Sequence, residues 1–394
     1  MTRLAVGGAL ALLVVACRDV PQAPTLPTPP APGPFAVLRV DRVGPPIMEP
    51  ASFSDAAGSL HLLYGAWAVG AVRYAGCATN CDLSRSWHIG EVDSSFLGIG
   101  DGGQVAAGLT TTGIHLLYQS AVANGQNAFL SYGWCPGACY LKTSWLTAVV
   151  DTMADVPATY ENGGASAVVD PAGGIRAFYL APAGVRYAEC SSSCANSGNW
   201  QRATLASASS SATAIALGAD GRVHGLFFRR DSLWYATCAA ACGNAANWQL
   251  ASILTAPPSC CYLDGLASLV VGSDNRLHAL ASVASFPRLH ALTYLTCTAS
   301  CTSAAAWQSV TLDSLGKGVL ALGPDGALHM AFGRTNGALT YARCDSSCLS
   351  AGAWKRMTVD SPTSVNGVAL TLGATGKPTI AFATYSDVYV ALMR

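Results

Sequence analysis

The chain has 394 residues, and its 22 basic and 22 acidic side chains cancel to a formal net charge of zero at pH 7. Only 11% of residues are charged and 51% are hydrophobic, with no basic patch, which excludes a polyelectrolyte grip on nucleic acid. Solubility must come from Ser, Thr, Asn and Gly on turns and outer edges, a composition that agrees with an exported β-protein.

Residues 1–16 read as a secretory signal peptide. Arg3 supplies the positive n-region, and Leu4 to Val15 is apolar but too short to span a bilayer comfortably. The segment ends in Val14-Val15-Ala16-Cys17, which resembles the lipobox of bacterial lipoproteins, although Leu is commoner than Val at the position of Val14. The resemblance implies cleavage before Cys17 and lipid attached there, hence a membrane partner and a place in the bacterial cell envelope, facing periplasm or exterior. Residues 17–34 form the tether: Pro21, Pro24, Pro27, Pro29, Pro30, Pro32 and Pro34 forbid a helix or central strand. Polyproline II would give it a reach of roughly 50 Å.

The domain expected over residues 35–394 is larger than one compact core usually supports, unless repeats share the core among them. A repeat is present. Tyr, two residues, Cys, three residues, Cys, five residues and Trp recur from Tyr74, Tyr132, Tyr187, Tyr235, Tyr294 and Tyr341, with copies 47 to 59 residues apart. Around the fourth copy, apolar runs at Ala214–Leu217, Arg222–Phe228, Leu233–Cys238 and Trp248–Ile253 are separated by turn residues, which predicts a four-stranded antiparallel meander. Asp220-Gly221, Asp325-Gly326 and Asp274-Asn275 supply the positive φ of a tight hairpin.

Such meanders stack radially as a β-propeller. After the sixth copy, Gly367–Leu372, Pro378–Thr384 and Val388–Leu392 give three more strands without the Trp strand, and Phe35 to Val40 fits that missing fourth-strand template. The expectation is an all-β, seven-bladed propeller of four-stranded antiparallel blades, closed by pairing the N-terminal strand with the C-terminal three. Six blades, with Phe35 to Val43 packed elsewhere, is the alternative.

Of 15 cysteines, twelve fall in the repeated pairs: Cys77 with Cys81, Cys135 with Cys139, Cys190 with Cys194, Cys238 with Cys242, Cys297 with Cys301, and Cys344 with Cys348. In an oxidising compartment these read as disulfides closing short loops, worth roughly 2 kcal/mol each. A four-thiolate zinc site would need two pairs close together, and each pair belongs to its own blade. Haem attachment would need Cys-x-x-Cys-His, which no copy has. Neither metal nor cofactor is therefore expected. Cys260 and Cys261 are adjacent and could form a vicinal disulfide, remain free, or pair elsewhere.

His61, His115, His224, His278 and His329 each sit at the start of a second strand, with Arg176 in the third unit, and read as a structural element bonding backbone or the turn's Asp. Gly98-x-Gly100-x-x-Gly103 matches a dinucleotide fingerprint by letters, but Gln104 to Leu109 reads as a strand where a helix is required.

Segments such as Asp220-Gly221-Arg222-Val223-His224 and Asp325-Gly326-Ala327-Leu328-His329 are similar to bacterial lipoproteins with sialidase- or neuraminidase-type (BNR-like) propeller repeats. The match is architectural. The sialidase Asp-box, Ser-x-Asp-x-Gly-x-x-Trp, is not reproduced, nor is the Arg-Ile-Pro motif carrying the substrate-binding arginine, so the resemblance does not imply sialidase activity.

In a four-stranded blade the Asp-Gly turns and Cys loops share one face of the disc and are nearly uniform here. The second-to-third turns and inter-blade connections share the opposite face and vary, which makes that face the candidate binding surface. It carries Trp67, Asp155, Tyr160, Glu161, Arg229, Arg230, Tyr262, Asp264, Phe286, Arg288 and His290. Aromatic and Arg side chains provide contact area and planar hydrogen bonding. The function expected is a monomeric, non-catalytic lipoprotein that recognises a glycan or an envelope protein through this face. The alternative is a glycoside hydrolase or polysaccharide lyase using Asp155, Glu161, Asp264 or His290 as acid or base.

Overall fold

Each Tyr-Cys-Cys-Trp string occupies the third strand, a disulfide-closed loop and the start of the fourth strand of an antiparallel sheet. In the computed structural model the described residues are 33–44, 50–66, 69–94, 105–121, 127–154, 165–170, 172–181, 184–207, 213–229, 232–255, 267–285, 289–313, 317–334, 337–362 and 364–394. Cys17, the signal peptide and all but the last two residues of the tether lie outside them.

The strands form seven four-stranded sheets. Blades 1 to 6 span residues 51–93, 106–154, 165–206, 213–255, 267–313 and 317–360, and blade 7 combines 367–393 with Phe35–Arg42. The first strand of each blade packs on those of its two neighbours, and Ala51–Ser54 against Gly367–Leu372 closes the ring. Small side chains allow that approach: a Cβ on Gly108 would lie 2.7 Å from Val169 Cγ2 of the next blade. The Ser52 and Thr371 hydroxyls meet at 2.6 Å across the junction of blades 1 and 7.

The closure is the one the repeat grammar predicts, and it excludes six blades. Phe35 pairs with Met393 and Arg42 with Asp387 along an antiparallel ladder. In blades 2 to 6 the fourth-strand Trp meets the repeat Tyr of the preceding blade edge-on, with Trp248 4.9 Å from Tyr187 and Trp307 5.5 Å from Tyr235. Phe35 does the same for blade 7, its ring 5.7 Å from Tyr341. The Tyr and Trp of the string thus serve different interfaces.

The apolar interior is seven separate clusters, one between each pair of adjacent blades. That division explains how a chain of this length stays packed without one oversized core.

The Cys loops repeat to the residue. Each is closed by the expected disulfide, across a sequence separation of 4. Cys77 is bonded to Cys81, Cys135 to Cys139 and Cys190 to Cys194. Cys238 is bonded to Cys242, Cys297 to Cys301 and Cys344 to Cys348. The first Cys of each pair is buried, whereas the second varies: Cys194 is buried, and Cys81 and Cys301 are half-buried. The residue before the second Cys is left-handed in every copy: Asn80, Ala138, Ser193, Ala241, Ser300 and Ser347, with φ between 51° and 55°. A single 3-10 turn follows, then Trp, whose indole N–H donates to the carbonyl of the second Cys at 2.8–3.1 Å in all six. The disulfide and this bond together set where the fourth strand re-enters.

The hairpin turns follow one design. Gly221, Asn275 and Gly326 take the expected positive φ, and the carboxylates of Asp220, Asp274 and Asp325 accept the backbone N–H two residues on, at 3.0–3.1 Å. The histidines are structural as expected, but their chief partner differs. Nδ1 of His61, His115, His224, His278 and His329 lies 2.6–2.8 Å from the hydroxyl of the repeat Tyr on the neighbouring strand. The turn aspartate is the partner of Arg176, which bonds Asp170 at 2.7 Å, and in blade 1 Asp55 also lies 3.7 Å from His61 Nε2.

Candidate functional site

The two ends of the blades are built on different chemistry. Of the residues expected on the variable face, Trp67, Asp155, Tyr160, Glu161, Arg230, Tyr262, Asp264, Phe286 and Arg288 lie outside the described residues, as do Cys260 and Cys261. His290 falls on the third strand of blade 5, paired with Ala284, and its side chain is outside the described set. Arg229 ends the second strand of blade 4, half-buried, with its guanidinium 5.4 Å over the Trp234 ring. That cation–π contact holds it along its own hairpin.

The fourth strands carry a feature the sequence reading missed. Each fourth strand has a β-bulge in its C-terminal half. The residue just past the bulge is Asp93, Asp151, Asp313, Asp360 and Asp41 in blades 1, 2, 5, 6 and 7, and Ala206 and Leu254 in blades 3 and 4. Three of these carboxylates accept a hydroxyl from the following blade: Tyr118 to Asp93 at 2.6 Å, Tyr179 to Asp151 at 2.7 Å, and Tyr64 to Asp41 at 2.6 Å. Arg73 adds to Asp41 at 2.8 Å, and Arg186 to Asp151. Asp313 bonds Arg334 at 3.2 Å, and in blade 6 Phe332 stands where Tyr64, Tyr118 and Tyr179 stand in theirs. Ala206, which cannot bond, sits in the blade before Phe227.

Burial raises the Tyr64, Tyr118 and Tyr179 hydroxyls well above the ordinary tyrosine range, reinforced by the adjacent carboxylate. They therefore stay protonated donors, and Asp41, Asp93 and Asp151 are held as links between blades. The signal was present in the sequence: His61-x-x-Tyr64, His115-x-x-Tyr118 and Arg176-x-x-Tyr179 each follow an Asp that lies 23 to 28 residues before the Tyr.

The disulfide end has concave sites between blades. One cleft of about 290 Å³, between blades 1 and 2, is lined by His61, Tyr74, His88 and Tyr140 with the Cys135–Cys139 loop. A larger one of about 660 Å³ lies between blades 5 and 6. Burial pulls the imidazoles of His224 and His278 down to about 4, so both are neutral near pH 7, and it pushes Tyr74 and Tyr341 up to about 12. A neutral His fixed through Nδ1 offers Nε2 as a hydrogen-bonding atom and carries no charge. Among the described residues, no three His, Cys, Asp or Glu side chains converge as a metal site would require.

No protein-family model matches the chain, and no curated protein matches it in sequence. Solved structures do match in fold. A polysaccharide lyase of family PL25, an ulvan lyase bound to a GlcA–Rha3S saccharide, is 11% identical with a TM-score of 0.59, over 90% of this chain and 95% of its own. The α-L-arabinofuranosidase Arb93A of Fusarium graminearum is 10% identical with a TM-score of 0.53, over 91% and 98%. The α-L-arabinanase of Penicillium chrysogenum is 12% identical with a TM-score of 0.51, again over 91% and 98%. At these identities the likeness is one of fold: this chain is a seven-bladed propeller whose structural neighbours include glycan-active propellers.

Proposed function

We propose that the protein is an envelope-anchored lipoprotein whose propeller binds a glycan, through the face that carries the variable connections. One observation carries the reading: over about 90% of its length the chain shares its fold with a polysaccharide lyase, an α-L-arabinofuranosidase and an α-L-arabinanase. The division of the blades supports the choice of face. The described strands form a closed ring, the connections expected on one face vary in sequence, and rigid scaffolds with variable loops are where binding residues concentrate. Cys17 and the proline-rich segment after it support the anchor, which holds the ring clear of a membrane.

A second reading, hydrolase or lyase, is favoured by the activities of those same neighbours, with Asp155, Glu161, Asp264 and His290 as candidate acids and bases. One experiment separates the two. The domain from Phe35 onward is screened on a polysaccharide array, and every polymer bound is then incubated with it while reducing ends and unsaturated products are followed. Binding with unchanged polymer length supports the binder, and depolymerisation supports the enzyme. A chain that captures no polysaccharide removes both.

A further inference from the structure

Junctions between blades are filled differently at the disulfide end. The residue after the second Cys faces the first fourth-strand residue of the preceding blade. Between blades 1 and 2 these are Tyr140 and His88, with rings 5.3 Å apart, and Lys142 bonds Glu91 beside them at 2.6 Å. Between blades 3 and 4 they are Gly243 and Gln201, packed so closely that a Cβ on Gly243 would lie 2.5 Å from the Gln201 amide oxygen. Between blades 5 and 6 they are Leu349 and Gln308, and there the cleft of about 660 Å³ stays open. That volume falls within the range of small-ligand sites, about 300–1,000 Å³.

Its walls present matched polar groups. Asp274 and Arg276 stand on the hairpin turn of blade 5, their side chains 63% and 46% exposed and only 3.7 Å apart. One Asp274 oxygen accepts the Arg276 backbone N–H at 3.1 Å, so the side-chain donors of Arg276 and the other carboxylate oxygen are offered side by side. His278 lines the cleft with Nδ1 tied to Tyr294 at 2.7 Å, and its Nε2 makes no hydrogen bond among the described residues. Asp345 faces them from blade 6, but Arg343 and Lys355 hold it, and Arg343 also binds Asp325.

The charges therefore cancel: Asp274 against Arg276, and Asp325 with Asp345 against Arg343 with Lys355. A phosphate or carboxylate would find no uncompensated cation, and a metal ion would find one loosely held carboxylate. A neutral polyol fits, because an adjacent acceptor and donor on planar side chains match two vicinal hydroxyls. Leu349 and the Cys344–Cys348 bridge line the same space and give an apolar surface for a sugar's C–H face.

We propose that this cleft is a second binding site, which takes a neutral sugar residue. Asp274 and Arg276 hold adjacent hydroxyls, and Gln308 and His278 Nε2 reach its remaining polar edge. The site lies on the face opposite the one assigned above and does not depend on that assignment.

The test is a titration of the full chain with neutral monosaccharides (glucose, galactose, mannose, arabinose, rhamnose, fucose) and with the corresponding uronic acids, read by saturation-transfer NMR and calorimetry. At least one neutral sugar should bind in the millimolar range and more tightly than its uronic acid. Arg276→Ala should weaken it by on the order of tenfold at unchanged melting temperature, and Asp274→Ala by a similar factor with the small loss of stability that its turn hydrogen bond implies. Ser346→Trp, on the exposed rim, should fill the cleft and abolish binding. The proposal is overturned if no neutral sugar binds, if the uronic acids bind more tightly, or if Ser346→Trp binds as well as the parent. Polysaccharide capture through the variable face is scored separately, so either site can fail alone.

Discussion

The disulfide end and the variable end of these blades are held by contrasting means. At the disulfide end the bridge, the left-handed residue and the indole-to-carbonyl bond all come from one short string and recur with nearly constant geometry. At the variable end the links join residues of different blades, and their chemistry changes with both partners, as Asp93 with Tyr118 against Ala206 with Phe227 shows. The contrast teaches that copying a string fixes a local loop. A link across blades must be matched pair by pair, which leaves that end free to diverge.

The largest effect expected lies at the disulfide end. Trp248→Ala removes the indole that packs on Tyr187 and Phe178 and donates to Cys242, and should cost about 3–5 kcal/mol in denaturant unfolding. Phe35→Ala should cost a similar amount if Phe35 stands in for the missing Trp; a loss under about 1 kcal/mol would remove that equivalence.

Acid titration gives the next largest. His224 is about 5% exposed, and burial lowers it from 6.5 to about 4. Its neutral form is favoured by folding, so the associated stability is complete above pH 6.5 and falls as the pH drops towards 4, by about 3 kcal/mol. His224→Gln keeps a hydrogen-bonding group for Tyr235 and should flatten the stability profile in that window. An unchanged slope would mean that His224 titrates normally in the folded protein.

Removing one staple as the pair Cys238→Ala with Cys242→Ala should cost about 2 kcal/mol, measured against the parent without reductant. If Trp248 alone set the fourth-strand register, the loss would be close to zero.

The smallest effect tests the variable end. Asp93→Ala and Tyr118→Phe should show a coupling energy of about 1 kcal/mol in a double-mutant cycle, with the double variant less damaged than the sum, because it reproduces the Ala206 and Phe227 arrangement. Strict additivity would show that the two blades do not communicate through this bond.

Most of the fold was legible in the sequence, because a fixed string with turn residues between apolar runs defines a blade, and Phe35 to Val40 read as the fourth strand missing after Leu392. The disulfides were legible for the same reason. The Tyr partner of each His was not, since it comes from cross-strand register between residues 11 to 17 positions apart. The Asp–Tyr links were hidden further, because they depend on where the bulge places Asp93 or Asp151 relative to the next blade. The open cleft beside Gln308 depends on what fails to fill a junction, which no single strand records.

The ladder from Phe35–Met393 to Arg42–Asp387 has a consequence for how this chain is made. Its first strand is synthesised long before the strand that receives it, so until residues 387–393 are made it has no ladder to join. Any chain that stops short of Asp387 leaves that strand without a partner and the ring open. Closure therefore acts as a check: only a molecule in which Asp387–Met393 has been made can cover the edge of Phe35–Arg42.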